Sequence, residues 1–256
     1  MSLFDKVKAS IGIGSAKVDA KLDQSSFTAG ENLTGTLLIQ GGTIEQEING
    51  IDLHLVTEVI REVDDKKVKQ HTSFVTYRVA SGFLIRKGEK KQLPFSFPIP
   101  TDTPITLGNS KIWLETALDI SLALDPTDQD FITIKPHPAV HTLLEATRSL
   151  GFVLRKVENL PYRRSPIGLI QEFEFVPTSG SFRGKLDEME LVFFLEPRGI
   201  RIMMEIDRKA RGLVSLLAES LDLDESKVSL FLSFDEINQG VSATATRLHN
   251  VIRSYS

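Results

Sequence analysis

The sequence predicts a mainly β protein built as two antiparallel β-sandwich domains, with one or two short helices in the second domain. Short strand-like segments recur along the chain with turn residues between them, which is typical of β-sandwiches. A double-proline segment, residues 135–138, divides the 256 residues into two parts that each have the size of one domain. Hydrophobic residues make up 41% of the chain, which is enough to build a buried core.

The strands of the first part are indicated by alternating or β-branched residues between polar turns. The first segment alternates small or apolar residues with charged ones, which indicates a half-buried strand. Phe27 is predicted to anchor the turn that follows, and Asp64 to Lys67 is predicted to be the tip of a hairpin. The predicted strands are residues 16–23, 33–40, 48–60, 68–79, 93–97, 111–121 and 131–134.

The boundary between the two domains is placed at Lys135-Pro-His-Pro138, because two prolines this close favour an extended connector. The predicted domains are therefore 1–135 and 136–256. A helix is expected from Pro138, which suits a first helical turn, to about Leu150, with Gly151 as its stop. The strands that follow are predicted at residues 152–158, 169–176, 185–195, 200–206 and 228–234.

A second helix is predicted near residues 208–221, with Asp207 as its N-cap and leucines at helical spacing. The last residues, 240–256, are weakly patterned and are expected to fray. These two segments complete the elements that the residue pattern predicts for the second domain.

Charge and composition exclude several classes of protein. The formal net charge is −4, which argues against a dedicated nucleic-acid binder. The chain has no cysteine, so a disulfide framework, a thiolate zinc site and a cysteine nucleophile are excluded. Asp5, Lys6 and Lys8 interrupt the start of the sequence, so a signal peptide is not expected. We predict a cytoplasmic protein without a cofactor.

Two clusters of potential metal ligands stand out, although no metal is predicted. His137, His141 and Glu145 are spaced to share one face of the predicted helix and are candidate zinc ligands, with a surface stripe as the more common alternative. Asp125, Asp128 and Asp130 place three carboxylates close together, but they lack the spacing of an EF-hand. A solvated turn before Phe131 is the more common explanation for these aspartates.

Catalytic signatures are weak. No Gly-x-Ser-x-Gly nucleophile turn is present, and Ser181 has no general base near it in the sequence. The glutamate pairs Glu172/Glu174 and Glu188/Glu190 each share one strand face, and acidic residues that point outward from a sandwich are the common explanation. We therefore predict a protein without catalytic residues.

The candidate partner-binding residues are arginines. Arg163 and Arg164 lie in a predicted loop, and Arg208 and Arg211 lie at the start of the second predicted helix. Arginine suits bidentate contacts with carboxylate or phosphate groups. The hairpin edge near Val68 to Val79 is a further candidate surface, for a homodimer or for pairing with another strand.

Several long strings resemble the sporulation-control protein M family of bacteria. They include Lys8-Ala-Ser-Ile-Gly-Ile-Gly-Ser-Ala-Lys-Val-Asp19, Ile60-Arg-Glu-Val-Asp-Asp-Lys-Lys67 and Gln171-Glu-Phe-Glu-Phe-Val-Pro-Thr-Ser-Gly180. The resemblance runs in order from about residue 1 to residue 230. It implies an arrestin-like fold of two β-sandwich domains and a cytoplasmic regulatory or scaffold protein that acts in the control of sporulation or related development.

Three functions follow as hypotheses. The first is a non-enzymatic regulator that binds other proteins, whose identity the sequence does not give. The second is a membrane-peripheral adaptor that uses the N-terminal segment, where Leu3, Phe4, Val7 and Ile11 alternate with lysines. The third is a metal-dependent hydrolase built on His137, His141 and the aspartate turn, and it has the least support.

Overall fold

The described residues of the computed structural model are 14–64, 66–120, 127–207 and 227–255. They form two compact units. Unit 1 takes the described residues up to Glu58, together with His71–Pro100 and Lys111–Ile134. Unit 2 takes Val59–Gln70, Thr101–Ser110 and the described residues from Lys135 onward.

The chain passes from unit 1 to unit 2 at Lys135, next to the predicted boundary. Unit 2 also includes two segments of the predicted first domain, residues 59–70 and 101–110. The simple division into 1–135 and 136–256 therefore stays a prediction.

Unit 1 contains two sheets, and the mainly β prediction is confirmed. One sheet has three strands in the order β1-β3-β6, and the other has five in the order β2-β8-β7-β4-β5. The strands are β1 Lys17–Leu22, β2 Ser26–Thr28, β3 Asn32–Gln40, β4 Gln46–Val63, β5 Lys66–Ile85, β6 Lys90–Pro98, β7 Ile112–Ile120 and β8 Thr127–Lys135. The tips of β4 and β5 belong to unit 2.

Alternation along the strands builds the unit 1 core. In β3 every second residue is buried, as expected for a strand with one face in a core. β1 contacts β7 of the other sheet, and Phe27 is 1% exposed, so it anchors its turn as predicted. Fully buried side chains of this unit include those of Leu33, Leu37, Ile51, Leu53, Leu55, Leu114 and Leu118.

Unit 2 is built on one five-stranded antiparallel sheet in the order β13-β12-β11-β10-β9. Its strands are β9 Phe152–Pro161, β10 Leu169–Pro177, β11 Glu188–Glu196, β12 Gly199–Asp207 and β13 Lys227–Ser233. Among its described residues, the helices are α1 Pro138–Ser149, α2 Phe234–Ile237 and α3 Val241–Ser254, with a short 3₁₀ turn at Gly180–Phe182.

Helix α1 begins and ends as the sequence predicts. Pro138 lies in its first turn, and Ala139 N–H donates to Nδ1 of the N-cap His137. Gly151 has a φ of 92° and donates its N–H to the carbonyl of Arg148. A Cβ at Gly151 would lie 2.3 Å from the carbonyl oxygen of Ser179, so a larger residue does not fit there.

The expectation that residues 240–256 fray is wrong, because Val241–Ser254 is helix α3. Its buried stripe consists of Thr244, Ala245, Leu248 and Ile252, which recur at helical spacing. Two of these four residues are small or polar, so the stripe is hard to recognise from hydrophobicity alone. The other predicted helix, residues 208–221, lies outside the described residues.

Candidate functional site

One face of the unit 2 sheet carries a group of six glutamates, which we call the carboxylate face: Glu158, Glu172, Glu174, Glu188, Glu190 and Glu205. Strand register places three of them in one row, because Glu174 pairs with Glu190 and Glu190 pairs with Glu205. Like charges directly opposite each other on neighbouring strands repel. All of these glutamates except Glu158 are less than a tenth exposed.

A β-bulge brings a counter-charge to this face. The β9–β10 register shifts between Glu174 and Phe175, and Arg155 is the residue left without a register partner. Its guanidinium donates to Glu174 and Glu188. Arg155 therefore bridges two strands of the sheet and offsets part of the repulsion.

Glu172 is a carboxyl group of this face whose pKa is strongly perturbed. Burial, with the negative charges of Glu190 and Glu158, raises the pKa of Glu172 from 4.5 to about 8. No hydrogen bond from the described residues reaches its Oε2. Glu172 therefore keeps its proton at neutral pH, and the face can take up or release one proton in mildly alkaline solution.

The tip of the β4–β5 hairpin lies against this same side of the sheet. Lys67 Nζ is 3.3 Å from Glu158 Oε2. Partial burial acts to lower the pKa of Lys67, but the charge and hydrogen bond of Glu158 outweigh it, and the pKa is raised. Ile60 packs with Leu160, Ile170 and Val192, so the tip is held by apolar and ionic contacts together.

The expectation that the glutamate pairs of β10 and β11 point into solvent is wrong. Glu172, Glu174, Glu188 and Glu190 are all buried. The alternation of acids with Phe173, Phe175, Met189 and Leu191 correctly indicates two different faces. It does not reveal that the acidic face is covered as well, because covering depends on contacts distant in sequence.

The edge of the five-stranded sheet of unit 1 is formed by β5, a strand of 20 residues. Its partner within the described strands is β4 alone. Beyond its pairing with β4, no backbone hydrogen bond joins residues 71–81 to another described segment. Unpaired N–H and C=O groups on such an edge are ready to pair with another strand.

The composition of this edge favours pairing. From His71 to Ser81 the strand has no proline, and its one charged residue, Arg78, is 2.7 Å from Asp52. Proteins usually protect exposed edges with proline or free lysines. At the far end, Lys91 Nζ of β6 donates to the carbonyl of Leu84, and Tyr77 stacks on Phe97.

Two of the three zinc candidates, His137 and Glu145, are engaged elsewhere. His137 caps the helix through Nδ1, and burial lowers its pKa. Glu145 pairs with Arg148 at 2.5 Å, and His141 is exposed. Within the described residues, no cluster of three or more His, Asp or Glu side chains has a geometry that suits a metal ion. The hydrolase hypothesis thus gains no support.

The aspartate turn is described only in part, because Asp125 lies outside the described residues. Asp128 accepts a hydrogen bond from Ala20 N–H at 3.3 Å. Burial, with the charges of Asp128 and Asp19, raises the pKa of Asp130 to about 6. The sequence did not single out Asp19, since it is more than a hundred residues away in the chain.

Among the arginine candidates, Arg163 and Arg164 are exposed in the turn between β9 and β10. Arg208 and Arg211 lie outside the described residues, as does the N-terminal segment proposed for membrane contact. No helix in the described part of the chain is both long and apolar enough to cross a bilayer.

The structure also brings together a pair that the sequence does not show. Ser181 Oγ lies 3.2 Å from His249 Nε2, so Ser181 has a histidine neighbour after all. Both residues are at the surface, and no carboxylate among the described residues is recorded as a hydrogen-bond partner of His249. A serine nucleophile needs a base that is held in place by a third group. The pair therefore does not carry a catalytic assignment.

Comparison with known proteins identifies the family. The model of the SpoOM protein family matches residues 4–210. The sporulation-control protein spo0M of Bacillus subtilis strain 168 is 42% identical over 239 residues, which is 93% of each chain. This chain belongs to the SpoOM protein family.

A solved structure supports the same assignment. The crystal structure of Spo0M, the sporulation control protein from Bacillus subtilis, superposes with a TM-score of 0.86 at 36% sequence identity. The match covers 95% of this chain and all of that one. The predicted family resemblance is confirmed. The SpoOM-type match does not itself test the arrestin-like arrangement, which stays a prediction.

Proposed function

We propose that this SpoOM-family protein is a non-enzymatic regulator in the control of sporulation, and that it acts in the cytoplasm through protein–protein interaction. The curated relative named for sporulation control supports the biological role. The exposed edge of β5 is the structural feature that supports a protein–protein interaction. It offers a long row of backbone groups for which the described strands supply a partner on one side only.

A second copy of the chain is the occupant we propose for this edge. Two identical edges can pair antiparallel about a twofold axis, which gives a closed and self-complementary interface. Such pairing joins two five-stranded sheets into one continuous sheet. The uncharged side chains between His71 and Tyr77 allow the two edges to approach without like-charge repulsion.

Sedimentation velocity over a concentration series tests this interface. Ser73 and Ser81 are exposed on β5, and lysine at both positions places repelling charges on the paired edges. The S73K/S81K variant is expected to sediment as a monomer where the parent chain forms a dimer. A control with lysines beside β2, at the opposite edge of the same sheet, Q24K/S25K, is expected to remain a dimer.

Two results would contradict the edge interface. A parent chain that stays monomeric at all concentrations rules out self-association. A dimer that persists in S73K/S81K places the interface elsewhere.

Genetic replacement tests the biological role. The gene of the Bacillus subtilis relative is replaced by this chain, and heat-resistant spores are counted. We expect the parent chain and Q24K/S25K to restore spore numbers and S73K/S81K to restore fewer. Equal spore numbers with all three chains would show that the sporulation role does not depend on the β5 edge.

A further inference from the structure

A second surface lies in unit 2, at one end of its sheet, and is independent of β5. Two chain reversals lie at this end, the β9–β10 turn and the β11–β12 turn. They share the end because the strands of the sheet are antiparallel and β10 is next to β11. The first carries Arg163 and Arg164, and the second carries Arg198. All three arginines are exposed. Ring centroids of Tyr162 and Phe194, 6.1 Å apart, join the two reversals.

The β9–β10 turn is held in a defined shape. Tyr162 N–H donates to the carbonyl of Gly168 at 2.9 Å, and Ser165 N–H donates to the carbonyl of Tyr162 at 3.1 Å. Gly168 donates to the carbonyl of Ser165 at 3.0 Å. Because the backbone is already ordered, binding through these arginines costs less conformational entropy than binding through a loose loop.

The three arginines are not used in ion pairs with the described residues. Other arginines of unit 2 are paired: Arg155 with two glutamates, Arg148 with Glu145, and Arg201 with Glu196 at 2.6 Å. The acids at this end are Glu196, which Arg201 neutralises, and two residues of α2: Glu236, which pairs with Arg247 at 3.4 Å, and the exposed Asp235. The end therefore carries an excess of positive charge on a chain whose net charge is −4.

Aromatic side chains accompany this charge. Tyr162 and Phe194 are half-buried, and Phe231 is 37% exposed. The Arg201 guanidinium lies 5.6 Å from the Phe231 ring centroid. Exposed arginines beside tyrosine and phenylalanine are the composition that protein interfaces favour. We call this surface the arginine–aromatic end.

We propose that the arginine–aromatic end binds an acidic segment of another protein, with guanidinium groups on its carboxylates and the rings against its apolar side chains. Arginine binds carboxylates through two parallel hydrogen bonds. A membrane-binding patch typically uses a larger cluster of Lys and Arg than the three arginines seen here. A nucleic-acid surface requires a longer basic stripe.

Fluorescence anisotropy with a defined probe tests this proposal. The probe is a fluorescein-labelled peptide of alternating glutamate and tyrosine, and a second peptide has glutamine in place of each glutamate. The parent chain is expected to bind the first peptide and not the second. We expect R163E/R164E and R198E to weaken binding by roughly tenfold or more, since each reversal brings like charges together.

Arg183 provides the matched control. It is exposed in the same unit, but it lies between the end of β10 and the start of β11, at the opposite end of the sheet. R183E changes the net charge by the same amount as R198E and is expected to leave the affinity unchanged within about twofold. Circular dichroism of each variant establishes that the fold is intact.

Three results would overturn the proposal. The parent chain does not bind the glutamate–tyrosine peptide, or R183E weakens binding as much as R198E does. The third is co-sedimentation with phosphatidylcholine–phosphatidylglycerol vesicles that depends on Arg163 and Arg164 while the peptide does not bind, which assigns the surface to lipid. None of these results depends on the β5 edge, so this proposal and the proposed function fail separately.

Discussion

At the residue scale, Glu172 makes the stability of this protein dependent on pH. Its pKa is raised to about 8 in the folded chain, while an unfolded chain releases the proton near 4.5. The stability that the neutral carboxyl provides is complete below the lower value and is lost as the pH rises through the higher one. The folded protein therefore weakens between these two pH values.

The variant E172Q tests this dependence, because glutamine has no proton to release. We expect E172Q to be more stable than the parent chain at pH 8 to 9, by an amount on the order of a few kcal/mol, and to show a flatter pH profile. Urea midpoints measured from pH 5 to pH 9 check the result. The exposed Glu62 provides the control E62Q, and parallel profiles for the parent chain and E172Q would contradict the assignment.

Gln171 is a second residue whose role is visible only in the structure. Its Oε1 accepts from Ile105 N–H at 2.8 Å, and its Nε2 lies 2.9 Å from the carbonyl oxygen of Ile105. Ser110 Oγ and Asn159 Oδ1 are also within hydrogen-bond distance of Nε2. The side-chain amide thus pairs with the backbone of Ile105 as a strand would.

Removing this amide is expected to lower stability by about 1–3 kcal/mol, because Q171A leaves the backbone N–H and C=O of Ile105 without their side-chain partner. Chemical denaturation measures the change. Q129A removes an exposed glutamine that contacts Glu115 and is expected to change stability by less than about 0.5 kcal/mol. A Q171A variant as stable as Q129A would show that water replaces the amide at little cost.

At the element scale, helix α3 packs on α1 and closes one side of unit 2. Leu248 is 2% exposed, so truncating it leaves a cavity. We expect L248A to lower the free energy of unfolding by about 2–4 kcal/mol. R247A removes a neighbouring exposed ion pair with Glu236 and is expected to cost less than about 1 kcal/mol. Thermal melts of both variants would contradict a structural role for α3 if the two midpoints agree.

The elements show what a sequence can and cannot predict. Helix α1, its proline start and its Gly151 stop follow from local rules, and the β4–β5 hairpin tip follows from Asp64 and its charged neighbours. Helix α3 was missed because its stripe relies on Thr244 and Ala245, which patterns of strong hydrophobicity overlook. Hydrophobic periodicity therefore does not reveal a helix whose buried stripe contains small or polar residues.

The candidate sites were harder to predict than the elements. Arg163 and Arg164 were predicted from the sequence, but their proximity to Arg198 depends on strand order. Predicting the carboxylate face requires knowing that β10, β11 and β12 are neighbouring strands. It also requires knowing that a β-bulge leaves Arg155 without a register partner. Glu172 was noticed as an acid, but its burial depends on residues far away in the chain.

At the scale of the whole molecule, unit 2 depends on residues from the first half of the chain. Ile60 and Lys67 contact β9, and Ile105 and Ser110 bond to Gln171. A fragment of residues 136–256 lacks all four. We expect this fragment to show no cooperative thermal transition, and we expect addition of the 1–135 fragment to restore one. A fragment that unfolds cooperatively at the temperature of the full chain would show that unit 2 is self-sufficient.

The shared hairpin also has a consequence for synthesis on the ribosome. Ile60 leaves the exit tunnel long before Leu160, Ile170 and Val192 are translated. At about 5–20 residues per second, Ile60 stays without its packing partners for roughly 7–26 s, until Val192 has been made. During that interval the apolar side chain of Ile60 is exposed on the nascent chain. It is therefore accessible to a chaperone or to a neighbouring nascent chain before unit 2 folds.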